Sequence, residues 1–102
     1  AGKIDDWWQY STEVDFYAPR ISALAKSLTR ELRDYFMGGG AQTLSLDSFD
    51  EAYYAKSTSG DTQFLILRRG GETLYFRTAA GDDLRDRLDE FAAIFDQYSE
   101  LS

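Results

Sequence analysis

The chain has 102 residues and contains neither cysteine nor histidine, which removes disulfides, thiolate metal sites, the common zinc sites and any Ser-His-Asp or Cys-His nucleophile. Eighteen acidic residues against eleven basic ones give a net charge of −7, a field that repels nucleic-acid phosphates and anionic lipids and favours basic partners or plain solvation. With 43% apolar and 16% aromatic residues, the length suits one domain, residues 1–102, with a core that needs no covalent staples.

No apolar run approaches the roughly 20 residues of a membrane span, so no membrane insertion is expected. Ala1 stands where an initiator methionine would, so the chain is expected to be processed or cut from a longer one, and its compartment stays open.

The first segment, Ile4 to Tyr17, is ambiguous. Ile4, Trp7, Trp8 and Val14 can form a helical stripe, while Val14 and Phe16 alternate with Asp15 and Tyr17 as a short strand would. Pro19 interrupts any helix running straight through, and the expectation here is a short N-terminal helix that joins or kinks into the next. From about Pro19 to Met37, Ile21, Leu24, Ala25, Leu28, Leu32, Tyr35 and Phe36 recur at steps of three and four, predicting an amphipathic helix. Pro19 suits its first turn and Gly38 its left-handed cap. Gly38-Gly39-Gly40 follows this helix instead of opening one, so it is a stop and linker and not a phosphate loop.

Four strands are predicted next: Gln42 to Leu46, Glu51 to Ser57, Thr62 to Arg69 and Glu72 to Thr78. Thr58-Ser59-Gly60-Asp61 makes one turn, and Gly70-Gly71 makes a two-residue hairpin in which both glycines tolerate positive φ. The last element, about Asp83 to Leu101, carries the stripe Leu84, Leu88, Phe91, Phe95 and Tyr98, with Asp82 and Asp83 placed to cap its start. The fold class is therefore α+β: a three- to four-stranded antiparallel meander packed with two amphipathic helices, in the order α-β-β-β-β-α.

The Gly70-Gly71 hairpin sets the register. It pairs Leu67 with Leu74 and Leu65 with Phe76 on one wholly apolar face. The other face receives Phe64 with Arg77, Ile66 with Tyr75, and Arg68 with Thr73; an even loop before it adds Tyr53 and Glu51 beside Ile66 and Arg68, whereas an odd loop flips that strand and sends Tyr54 to this face instead. This second face mixes aromatics and arginines. Either the second helix covers it, or both helices pack on the first face and leave it open as a contact surface.

Carboxylate clusters at Asp5-Asp6, Asp47 with Asp50-Glu51, and Asp82-Asp83 fall in turns and helix starts, where capping and solvation account for them; an EF-hand pattern is missing. No catalytic residue, metal or cofactor is expected. The basic residues Arg20, Lys26, Arg30 and Arg33 read as a solvated helix side. The expected function is a non-enzymatic protein-interaction module, with a protein partner or a homodimer as occupant and Tyr53, Phe64, Ile66, Arg68, Tyr75, Arg77, Trp7 and Trp8 as candidate binding residues. The alternative is a small-ligand domain with a pocket between sheet and helix lined by Tyr53, Tyr54, Phe64 and Tyr75, visible as a cavity of a few hundred cubic ångströms.

Overall fold

A computed structural model describes residues 12–58, 60–79 and 82–101. Its centre is a five-stranded open antiparallel sheet of β1 (Thr12–Tyr17), β2 (Gln42–Thr43), β3 (Glu51–Lys56), β4 (Gln63–Arg69) and β5 (Glu72–Thr78), in spatial order β1-β5-β4-β3-β2. Helix α1 (Ser22–Phe36) and helix α2 (Leu88–Leu101) lie on opposite faces. The last four strands form the predicted meander, and the predicted register holds pair for pair: Leu65 opposite Phe76, Leu67 opposite Leu74, Ile66 opposite Tyr75 and Tyr53, and Arg68 opposite Glu51.

The first face, on Leu65, Leu67, Leu74 and Phe76, is covered by Leu84, Phe91, Ile94 and Phe95, with Phe16 and Phe49 closing its sides. All four sheet residues are fully buried. At about 1.5–3 kcal/mol for each large apolar side chain, this layer is the main source of stability. The expected last helix begins as a 3-10 turn, Leu84–Arg87, before α2. Asp83 caps that turn by accepting from the Arg85 amide at 2.9 Å. Asp82 does not cap: its carboxylate pairs with Arg87 at 2.7 Å.

Three expectations are corrected. Residues 12–17 are not a helix but edge strand β1, paired with β5 from Thr12↔Thr78 to Tyr17↔Thr73. The alternation of Val14 and Phe16 carries that strand, because both enter the first-face core. The rest of the expected N-terminal helix, with Trp7 and Trp8, lies outside the described residues. The strand expected over Gln42 to Leu46 pairs only at Gln42–Thr43; Leu44 and Leu46 instead turn in against the first-face core. Pro19 does not start α1 either, since the helix begins at Ser22 after an extended Ile21. Between them Arg20 has φ +65°, the single left-handed non-glycine among the described residues.

That left-handed step explains Gly71. The Arg20 amide donates to the Gly71 carbonyl at 3.0 Å, and a Cβ on Gly71 would meet the carbonyl carbon of Arg20 at 2.6 Å and its Cα at 2.7 Å. Of the hairpin glycines only Gly70 has positive φ, +59°; Gly71 is needed for close backbone approach. Gly71→Ala is therefore expected to cost about 1–3 kcal/mol by overpacking. Gly39→Ala, where a Cβ meets nothing within 4 Å, should leave stability nearly unchanged. Urea unfolding of the two variants checks the contrast.

Candidate functional site

The mixed second face is not an open surface. Helix α1 crosses it, and Tyr53, Ile66, Arg68 and Tyr75 are at most 7% exposed beneath. Phe64 is half-buried with its ring 6.2 Å from that of Phe36. Arg77, at the rim, pairs with Glu13 at 2.9 Å. Of the eight candidate binding residues, six are thus gathered on one face, and four of these are enclosed; Trp7 and Trp8 lie outside the described residues.

The polar groups under α1 serve the fold. Arg68 Nε donates to Glu51 Oε1 at 2.6 Å and its Nη1 to the Gly70 carbonyl at 3.0 Å. The Tyr53 hydroxyl donates to Glu51 Oε2 at 2.5 Å, and Arg30 stands 3.5 Å away. Burial by itself would raise the Glu51 carboxyl, but hydrogen bonds from Tyr53 and Arg68 and the charges of Arg68 and Arg30 outweigh it and hold it below the usual carboxylate range. A carboxylate so fully engaged is a structural anion, not a proton donor. Asp50 accepts from the Gly70 amide at 2.8 Å and stands 3.7 Å from Arg68, so Asp50 and Glu51 are both engaged by the same arginine. Among the described residues no three acidic side chains converge on a point that would hold a metal ion.

Two features remain free for binding. The first is the outer flank of α1. At about 100° per residue, the six predicted stripe positions inside it, from Leu24 to Phe36, spread over roughly 120°, whereas Ala25, Thr29, Leu32 and Phe36, on its buried side, span only about 60°. Ile21, Leu24 and Tyr35 are left 57%, 54% and 81% exposed, with half-buried Leu28 between them. Thr29, which the apolar pattern passes over, is fully buried, donating to the Ala25 carbonyl at 2.7 Å and sharing a 2.8 Å hydrogen bond with Thr73. The opposite flank of α1 lies over β3, where Arg30 reaches Glu51 and Arg33 sits 5.0 Å over the Tyr53 ring. The apolar flank therefore looks toward β1.

The second feature is a cleft of about 420 Å³ between the end of α1 and the β3–β4 hairpin. Phe36, Met37, Ala55 and Phe64 give it an apolar lining and Ser57, Thr58 and Thr62 a polar one, with Gly40 and the cation Lys56 completing it. Phe64 is the one residue it shares with the pocket foreseen from the sequence; Tyr53, Tyr54 and Tyr75 are core. No protein-family model matches this chain, and neither a curated protein nor a solved structure is significantly similar to it.

Tyr75 gives a measurable signature of the covered face. Its hydroxyl is buried and has no hydrogen-bond partner among the described residues, and burial pushes the phenol up to about 12 from 10. In the unfolded chain the proton leaves near pH 10, so stability is full below that pH and falls as pH rises through 10 to 12. Tyr75→Phe should flatten that alkaline loss relative to wild type. At neutral pH it should leave stability equal or raise it by up to about 1 kcal/mol, because an unpaired buried hydroxyl is removed. Denaturant unfolding at pH 7 and between pH 10 and 12 reads both effects.

Proposed function

We propose that the domain is a non-enzymatic protein-interaction module whose contact surface is the outer flank of α1 beside β1. The observation that carries this is the exposed stripe of Ile21, Leu24 and Tyr35 with Leu28 between them. A single exposed leucine is ordinary, but apolar residues at steps of three, four and seven on one helix flank form a contiguous ridge of the kind that docks into a partner. Charge selects the partner. Glu31 is exposed on the helix, Glu13 and Asp15 stand on the second face of β1, the strand toward which the flank looks, the net charge is −7, and the helix arginines over β3 are already engaged. The occupant is therefore a basic protein with an apolar strip.

Leu24→Glu/Tyr35→Glu alters only exposed positions, so its thermal unfolding should stay within about 0.5 kcal/mol of wild type. Chemical crosslinking in native extract should join wild type to a protein of net positive charge and fail with the double variant. Equal capture by both forms removes the flank from the proposal; concentration-dependent self-association that the same variant abolishes makes the occupant a second copy and overturns the basic partner.

The cleft favours a second reading, a site for a small uncharged or anionic molecule with an apolar ring against Phe36 and Phe64 and polar groups toward Ser57, Thr58 and Thr62. Its lining holds one charged residue, Lys56, and no carboxylate. Gly40 lines the cleft without a left-handed backbone, and a Cβ added there would meet nothing within 4 Å, so Gly40→Phe should obstruct the cleft at little cost to the backbone. Titration with indole or phenol, followed by NMR, should give saturable shifts at Phe36 and Phe64 in wild type and none in Gly40→Phe. Shifts that never saturate, or that persist in the variant, dismiss the cleft.

A further inference from the structure

We infer that the partner binds by adding an extended segment to the sheet along β1, with lysine or arginine alternating with apolar residues. This rests on the proposed interaction role and names its mode. Among the described residues β1 is a sheet edge, hydrogen-bonded to β5 on one side only. It is six residues long, while the other edge, β2, has two. A strand of this length turns alternate backbone N–H and C=O groups away from the sheet, a template for one more strand.

The side chains of β1 describe what that strand must carry. On the first face Val14 and Phe16 are half-buried, and Phe16 stacks on Tyr98 of α2 at 5.6 Å. A neighbouring strand would extend this apolar layer with its own apolar residues, since directly opposed side chains stand about 4.5–5.5 Å apart. On the second face Glu13 and Asp15 present two carboxylates. The carboxyl of Glu13 is raised by its hydrogen bond with Asp15, by burial and by the charge of Asp15, with Arg77 offsetting only part. One cation, Arg77, pairs with Glu13, and Asp15 has no ion-pair partner of its own among the described residues. Basic side chains on an added strand supply the missing charge.

The apolar flank of α1, opposite the side that carries Arg30 and Arg33 over β3, looks toward the same edge. Strands are spaced about 4.8 Å apart, so the new strand would lie roughly 10 Å from β5, on the side toward which Leu24, Leu28 and Tyr35 project. Lysine or arginine suits this place better than any other residue. The aliphatic stem packs against the leucines, the charged head reaches Glu13 and Asp15, and the Tyr35 ring offers a cation–π face. The open edge and the exposed flank, separate in the sequence, become two walls of one site.

The test uses an acetylated and amidated hexapeptide of alternating lysine and valine, titrated into the protein and followed by NMR and amide hydrogen exchange. Saturable binding is expected, with slowed exchange of those β1 amides that do not pair with β5. Asp15→Lys should weaken the peptide by about tenfold, roughly 1.4 kcal/mol. Glu13→Lys/Asp15→Lys should abolish its binding and confer binding of the alternating glutamate and valine hexapeptide. Binding without β1 protection, or binding unchanged by the charge swap, overturns strand addition. No binding of the lysine peptide overturns it too. The interaction role has its own readout, the effect of Leu24→Glu/Tyr35→Glu on partner capture and on self-association.

Discussion

The architecture depends on one close approach. Where the chain leaves edge strand β1 it must climb over the β4–β5 hairpin to reach the second face of the sheet, and it does so with backbone against backbone. The left-handed Arg20 turns the chain, its amide is fixed on the Gly71 carbonyl, and the missing Cβ of Gly71 leaves the room. With α1 launched on that side and α2 on the other, both faces of β4 are covered. Its central residues Leu65, Ile66 and Leu67 are accordingly buried completely, whichever way they point.

Covering the second face has a polar consequence. Arg68 points into it, and its buried charge, which would cost several kcal/mol if left unpaired, is met by Glu51 directly across the strand pair at 2.6 Å and by Asp50 at 3.7 Å. The pair is completed by the Gly70 carbonyl and the Tyr53 hydroxyl, so each charged group meets hydrogen-bonding partners. The register that carries Arg68 to Glu51 is the same one that carries Ile66 to Tyr53 and Tyr75. A slip by one residue would strand the arginine among the first-face leucines. The network thus adds specificity to the pairing, while burial supplies most of the stability.

The meander and its register were legible because they rest on period-two alternation and a two-glycine turn, both local signals. Which face α1 covers was not, because it is decided by the approach at Gly71, between residues about fifty apart in sequence. The width of the α1 stripe misled for a related reason. Hydrophobic spacing shows which residues are apolar, but only the sheet beneath decides that Ala25 and Phe36 meet it while Leu24 and Tyr35 do not. Thr29 was invisible to the pattern because its burial is satisfied by hydroxyl hydrogen bonds to Ala25 and Thr73. The candidate binding face was assembled correctly as a set of neighbours, and its enclosure moved the candidate surface to the back of the helix that covers it.

Exposed edge strands tend to pair with copies of themselves, and the placement of Glu13 and Asp15 bears on that tendency. Two β1 edges meeting antiparallel must oppose residues of the same face. Centred on Val14, that pairing sets Glu13 against Asp15; centred on Asp15, it sets Asp15 against itself. Either register brings carboxylate to carboxylate in a molecule already carrying −7, and like charges directly opposed are destabilising. A charged edge of this kind is a common protection against aggregation. Here the protection is selective, because the charges that repel a second copy are complementary to a basic strand. The apolar flank of α1 adds what charge alone does not provide, a surface that rewards an ordered side chain at that edge over a merely nearby cation.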